Sequence, residues 1–415
     1  MRAFILGAGS SVYAGFPLGK DLWDFMIDHC GLEMRAMETI SNYLSTLDRV
    51  GREQATADLE LLLTNLEEGV IPSMPAAGGL AVDDRHQRRA VKASLRHTLQ
   101  NIPQFNFDSF WKAQRIRRES IVTMWSQAQL SSIRDLTYDF VSAFLLHHAC
   151  IRFGRRHFLA GHEPWPSSLS QWKFSRACPC RQRTRISSIR RGFDAVSRTF
   201  RPGDTIITFN YDATVEASLW AARKWHFADG YGITVDMTST NMKPVLRGSR
   251  FRAPSPVKIL KPHGSINWAK SNRDGHIGLN YLGLLFDLPA FSTYQPSIDL
   301  EEGTEDTYVE NTLLAPTYLK DYSKNPILGG LWNQIDVALR TAAEITVVGY
   351  SLPAGDTAAR VRMAAALRDN TVCKAVGVVS PGDPARGPWA PFLDSVNLRL
   401  EWHARSMEAW LSTTH

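Results

Sequence analysis

The sequence predicts an α/β protein, a parallel sheet flanked by helices, with a large helical insertion between its first strand and the rest. Three observations carry this. Short β-branched runs, each ending in small or polar residues, begin at Ala3, Thr205, Val257, Ile345 and Ala375. Stretches with helical spacing separate these runs, which is the pattern of strands joined by crossovers. From about 31 to 199 only helical patterns and loop-like stretches occur, so that span reads as one insertion.

The first strand, Ala3 to Leu6, runs into Gly7-Ala8-Gly9-Ser10-Ser11 and then a segment with helical spacing from Pro17 onward. Strand, glycine turn and helix in this order suit an anionic ligand, a nucleotide first of all. Glycine lets backbone N–H groups approach a phosphate, and the helix offers its positive end. The third glycine, Gly15, comes later than in the dinucleotide fingerprint, and no acidic residue closes a second strand about 20 residues on. A tight structural turn would use the same glycines.

Leu59, Leu62, Leu63 and Leu66 then share a helical face, the stretch from Ile71 to Gly79 reads as a loop, and Ile133, Leu136, Phe140, Val141, Phe144 and Leu145 make a second apolar stripe. Thr205 to Phe209 reads as a buried strand ending at Asn210-Tyr211-Asp212, where Asp212 also suits a helix N-cap. Val257 to Leu260 ends at Lys261-Pro262-His263-Gly264, which puts a histidine at a strand's carboxyl end, where open sheets bind ligands. From 269 to 311 the chain reads as mostly irregular. A short strand is expected at Thr312 to Thr317, a helix over Leu331 to Ala343, and strands at Ile345 to Val348, Ala375 to Val379 and Leu398 to Trp402.

With 415 residues, 44% of them hydrophobic and 21% charged, the chain has material for a large core. No stretch approaches the roughly 18 to 20 apolar residues of a membrane span, and the start lacks a signal peptide's pattern, so the expected location is cytoplasmic, with no membrane contact. The odd count of scattered cysteines fits reduced thiols. Cys178 and Cys180 alone do not make a zinc site, which needs four ligands, so no metal is expected. The net charge of +6 is concentrated between Lys173 and Arg201, where Asp194 is the one acid. That segment is a solvated surface loop or a nucleic-acid contact.

Taken together, GAGSSVYAGFP, TFNYD, KPHGS and VVGYSLPAGD, with LLAPTYLK and LWNQIDVALRTAAE before the last, resemble the sirtuin-like family. They are most similar to its divergent bacterial branch. The resemblance covers 1–30 and 200–415 and leaves 31–199 as the insertion. It implies a Rossmann-like NAD-binding core in which Gly7, Ala8, Gly9, Ser10 and Ser11 cradle the pyrophosphate and Gly15, Phe16 and Pro17 lie near the nicotinamide ribose. Asn210 and Asp212 match the residues flanking the nicotinamide pocket, and His263 matches the catalytic histidine. Gly349, Ser351 and Leu352 would border the adenosine half, with Asp356 accepting from a ribose hydroxyl. The chain lacks the four-cysteine zinc module of the deacylases, and it has Leu18-Gly19-Lys20 where they carry Asp-Phe-Arg.

The implied activity is therefore hydrolysis of NAD to nicotinamide and ADP-ribose, as in effectors of bacterial anti-phage (abortive infection) systems. Homo-oligomerisation is implied too, as is a regulatory partner such as an ATPase or a nucleic-acid-guided protein. A non-catalytic sensor of NAD or an ADP-ribose derivative is the alternative, followed by an NAD-dependent deacylase or transferase.

Overall fold

The computed structural model describes 1–26 apart from 23, the residues Phe140, Val141, Ala143, Phe144, His147, His148 and Ile151, and then 183–235, 254–271, 277–279, 308–314, 320, 322, 325–383 and 387–413. The rest of the expected insertion lies outside the described residues, as do the leucine face at 59–66, the loop at 71–79, and Cys178 and Cys180 with the start of the arginine-rich segment at 173–182. The remainder of that segment, expected as a surface loop or a nucleic-acid contact, is mostly the helix Arg183–Thr199.

Six strands form one parallel sheet. They are β1 (Arg2–Leu6), β2 (Thr205–Thr208), β3 (Lys258–Leu260), β7 (Glu344–Val348), β8 (Ala375–Val379) and β9 (Arg399–His403), in the order β3-β2-β1-β7-β8-β9. Numbered among themselves, they run 3-2-1-4-5-6, the doubly wound Rossmann-like order, with the reversal between β1 and β7. The central strands are buried on both faces: Phe4, Ile5, Leu6, Ile206, Ile207, Val347 and Val348 are all in the core. This is why their sequence shows continuous apolar runs without alternation. At the opposite end, Arg2 reaches Asp204 with Nε and Nη2, at 3.0 and 2.6 Å, and ties the start of β1 to the start of β2.

Helices cover the sheet: α1 (Arg183–Thr199), α2 (Thr214–Ala221), α3 (Pro326–Thr341), α4 (Thr357–Arg368), α5 (Trp389–Asp394) and α6 (Met407–Leu411). The helix expected over 331–343 starts earlier, at Pro326. Asn325 caps it by accepting from the Ile327 and Leu328 N–H groups, and proline at the first helical position needs no N–H of its own. Among the described residues, no helix is long and apolar enough to cross a membrane.

A second sheet corrects the reading of 269–311 as irregular. β4 (Gly264–Ser271) pairs antiparallel with β5 (Ile277–Leu279) and with β6 (Tyr308–Leu313). β5 is only three residues long and the β4–β6 register is interrupted by shifts, so no alternation of apolar and polar residues marks it. The chain passes from one sheet to the other at Lys261-Pro262-His263.

Candidate functional site

A cavity of about 500 Å³ lies at the carboxyl ends of β1, β2, β3 and β7, at the reversal of strand order. That is the crevice where open α/β sheets take ligands, and about 300–1,000 Å³ is usual for such pockets. Its floor is a crossing of two loops. The Gly7 N–H donates to the Val348 carbonyl at 3.1 Å and the Gly9 N–H to the Gly349 carbonyl at 3.0 Å. A Cβ on Gly9 would lie 2.7 Å from Gly349 Cα, and one on Gly349 would lie 2.5 Å from the Gly9 carbonyl carbon. Glycine is required here so that one loop can rest on the other.

The expectation that this turn feeds straight into a helix needs correcting. Two 3-10 turns follow β1, Ala8–Ser10 and Val12–Ala14, the second ending at Gly15 in the left-handed region (φ 84°), and α-helical conformation starts only at Leu22. The Ser10 and Ser11 N–H groups close the first turn by donating to the Gly7 and Ala8 carbonyls, and the Ala14 and Gly15 N–H groups close the second by donating to the Ser11 and Val12 carbonyls. Gly7, Gly9, Ser10 and Ser11 therefore use their amides within the fold. What this side of the cavity offers an anion is the Ser11 hydroxyl and the exposed Lys20.

From β2 comes Asn210. Its Nδ2 donates to Ser10 Oγ at 3.1 Å and to Ser11 Oγ at 2.9 Å, which leaves both hydroxyls their own protons to donate. With the amide protons so used, Asn210 presents its carbonyl oxygen as the acceptor. Asp212 is not the N-cap that its position suggests, since Ala213 takes that place; one residue earlier, its Oδ1 accepts the Thr214 N–H at 2.9 Å in an Asx-type turn, while it also lines the cavity. Its backbone carbonyl accepts from Lys261 Nζ at 2.5 Å, and Lys261 pairs with Glu216 at 2.7 Å, both ions buried. Burial raises the Glu216 carboxyl and Lys261 opposes the rise.

His263 ends the third strand. Gly264, at φ 80° and packed against the Thr312 carbonyl, turns the chain at once into β4, and the His263 carbonyl accepts from the Leu314 N–H at 2.9 Å. The ring is walled by Phe209, edge-on at 5.0 Å, and by Tyr211 and Tyr322, stacked at 6.0 and 6.3 Å. Its Nε2 lies 3.1 Å from the Tyr322 hydroxyl and 3.4 Å from Asp356 Oδ1. Lys320 Nζ is 2.6 Å from the same carboxylate oxygen, and the Tyr350 hydroxyl donates to the other at 2.6 Å. Burial lowers the His263 pKa against the raising effect of Asp356, so the ring is neutral at pH 7 and able to accept a proton. For Asp356, burial raises the pKa, but the charges and hydrogen bonds of His263 and Lys320 outweigh it and hold the carboxyl well below its usual range.

The remaining wall comes from the insertion. Phe140 and Phe144 line the cavity beside Phe16, with Phe16 and Phe144 5.2 Å apart. On the same helical face, His147 Nε2 lies 2.9 Å from the Ala14 carbonyl, and His148 Nε2 accepts the Ala213 N–H at 3.0 Å. Burial, with Lys261 adding to it, pushes His148 down to about 3. The two histidines thus hold the loops after β1 and β2 to the insertion.

No family model matches the chain, and no curated protein matches it. All the residues expected at the site line this one cavity except Ser10, Gly15 and Leu352. Ser10 lies behind Asn210, Gly15 ends a turn, and Leu352 is buried in the core at φ 53°. Asp356, expected at a ribose hydroxyl, lines the cavity beside His263, with its Oδ2 accepting from the Tyr350 hydroxyl and its Oδ1 2.6 Å from Lys320 Nζ. Sequence reasoning missed Lys320, Tyr322, Tyr350, His147 and His148. Lys320 and Tyr350 stand inside the quoted motifs LLAPTYLK and VVGYSLP, while the histidine pair, two neighbours on an apolar helical face, gave only a weak signal. Among the described residues, no group of His, Cys, Asp and Glu is placed to hold a metal ion.

Proposed function

We propose that the chain cleaves the nicotinamide–ribose bond of NAD with water. One observation supports this above the others: at the reversal of a Rossmann-like sheet, a buried histidine whose pKa burial lowers and an asparagine whose amide protons are engaged line the same cavity. Asn210 accepts from the attacking water and orients it, while His263 takes its proton as the new C–O bond forms and the C–N bond breaks. Nicotinamide leaves neutral, ADP-ribose is formed, and the proton passes from His263 to solvent. The transition state resembles an oxocarbenium ion, which the Asp212 carboxylate stabilises by its charge. Phe16, Phe140, Phe144 and Tyr211 give the nicotinamide ring an apolar wall, and Lys20 with the Ser11 hydroxyl meets the phosphates. The place as a defence effector, the cytoplasmic location, the oligomer and the regulatory partner rest on the motif resemblance.

The test is to incubate the protein with NAD and follow nicotinamide and ADP-ribose by chromatography. His263→Ala and Asn210→Ala should each lower nicotinamide release by about 10² to 10⁴, the usual contribution of a positioned acid-base group, while NAD binding persists. Binding without release by the wild type would make the protein a nucleotide sensor.

A further inference from the structure

His263 meets ionisable groups from several elements. Asp356 comes from the 3-10 turn Ala354–Asp356 ahead of α4, Lys320 and Tyr322 from the segment ahead of α3, and Tyr211 from the loop after β2. Of these, Asp356 is the most firmly held. Lys320 Nζ stands 2.6 Å from Oδ1 and the Tyr350 hydroxyl 2.6 Å from Oδ2. Tyr350 is itself fixed, stacked on Phe209 at 4.2 Å and accepting from Trp389 Nε1 at its carbonyl. The turn that delivers Asp356 begins after Leu352, a buried leucine in the left-handed region that L side chains rarely adopt. Such strain persists where the surroundings over-determine it, and it clusters at functional sites.

We propose that Asp356, anchored by Lys320 and Tyr350, is the positioning residue that fixes the His263 ring and strengthens it as a base; this rests on the hydrolase reading above. A buried imidazole with no anion beside it is a poor proton acceptor, because its charged form loses hydration. A carboxylate 3.4 Å away restores part of that basicity. Lys320 works in both directions, keeping Asp356 ionised while opposing protonation of His263 by its own charge. The Tyr322 hydroxyl, whose own ionisation burial suppresses, meets the same ring nitrogen as a neutral group.

The experiment is an NMR titration of the full chain labelled at histidine, with the His263 signal assigned by its loss in His263→Gln. The wild type, Asp356→Asn, Asp356→Glu and Lys320→Met are compared, alongside steady-state nicotinamide release. In Asp356→Asn the His263 midpoint should fall by at least about one pH unit, a tenfold loss of proton affinity. In Lys320→Met it should rise. The kcat of Asp356→Asn should fall about 10- to 100-fold, a part of the whole acid-base contribution, with KM for NAD within about threefold and Asp356→Glu recovering much of the loss. An unchanged His263 midpoint in folded Asp356→Asn overturns the proposal. If that variant does not fold, Asp356→Ser replaces it, and an unchanged His263 midpoint there overturns the proposal. A wild type that releases no nicotinamide defeats the hydrolase reading instead, while the titration still decides whether Asp356 sets the basicity of His263.

Discussion

Gly349 and Gly330 show how one residue type serves opposite ends at two places. Gly349 sits at φ 62°, and a Cβ there would meet the Gly9 carbonyl carbon and the Ser10 nitrogen, both at 2.5 Å. Both obstacles are backbone, which cannot rotate away. Gly349→Ala should therefore combine a left-handed alanine with overpacking and destabilise the fold by about 2–5 kcal/mol. Gly330 is exposed on α3 with nothing near its absent Cβ. Gly330→Ala should stabilise by about 1 kcal/mol through helix propensity alone. Urea unfolding of both variants checks the pair, and a Gly349→Ala protein as stable as the wild type would mean that the two loops are not locked together. In the sequence both are simply glycines. The one in GYS at a strand end was legible as a site residue, but its φ and its contact with Gly9 depend on the pairing of β1 with β7, far apart in the chain.

At the scale of elements, the site is assembled where the loops after β2 and β3 are bolted together. Lys261 leaves the end of β3, donates to the Asp212 carbonyl and pairs with Glu216 on α2, with Lys261 0% and Glu216 1% exposed. Removing one partner leaves a buried charge alone, so Lys261→Met should cost about 3–5 kcal/mol, whereas Lys261→Met with Glu216→Leu should recover most of it. A double-mutant cycle by chemical denaturation measures this coupling. On the hydrolase reading proposed above, the recovered double variant should still release nicotinamide more slowly than the wild type, because no lysine then holds the Asp212 carbonyl. The strand ends that carry Asn210, Asp212 and His263 were readable in the sequence, since buried parallel strands are written as compact β-branched runs with abrupt ends. The 3-10 turns after Leu6 were not, because their glycines and serines also suit a helix start. The second sheet was hidden for a different reason: short strands with irregular register have no period to read.

Over the whole molecule, the insertion and the sheet meet through groups that must remain uncharged. His148 is held at about 3, against an ordinary 6.5, with its Nε2 committed as acceptor to the Ala213 N–H. His263 is shifted the same way by burial. Between the folded and unfolded values the unfolded chain binds the extra proton and the folded one does not, so stability falls as pH falls. For His148 the contribution is complete above about 6.5 and is lost progressively toward about 3, by about 1.4 kcal/mol per pH unit; His263 adds to the loss in the same direction. Asp356 adds a separate loss at lower pH, because its folded value lies below its ordinary 3.8: its contribution is complete above 3.8 and is lost progressively as pH falls below that. Thermal melts between pH 8 and 4 should therefore show the midpoint dropping below about 6.5. His148→Gln keeps an acceptor for the Ala213 N–H and cannot take a proton, so it should flatten that slope by one proton's worth while costing stability at pH 8. If the slope of His148→Gln matches that of the wild type, the seam between insertion and sheet is not held by a neutral histidine, and the acid sensitivity has to arise at His263 alone.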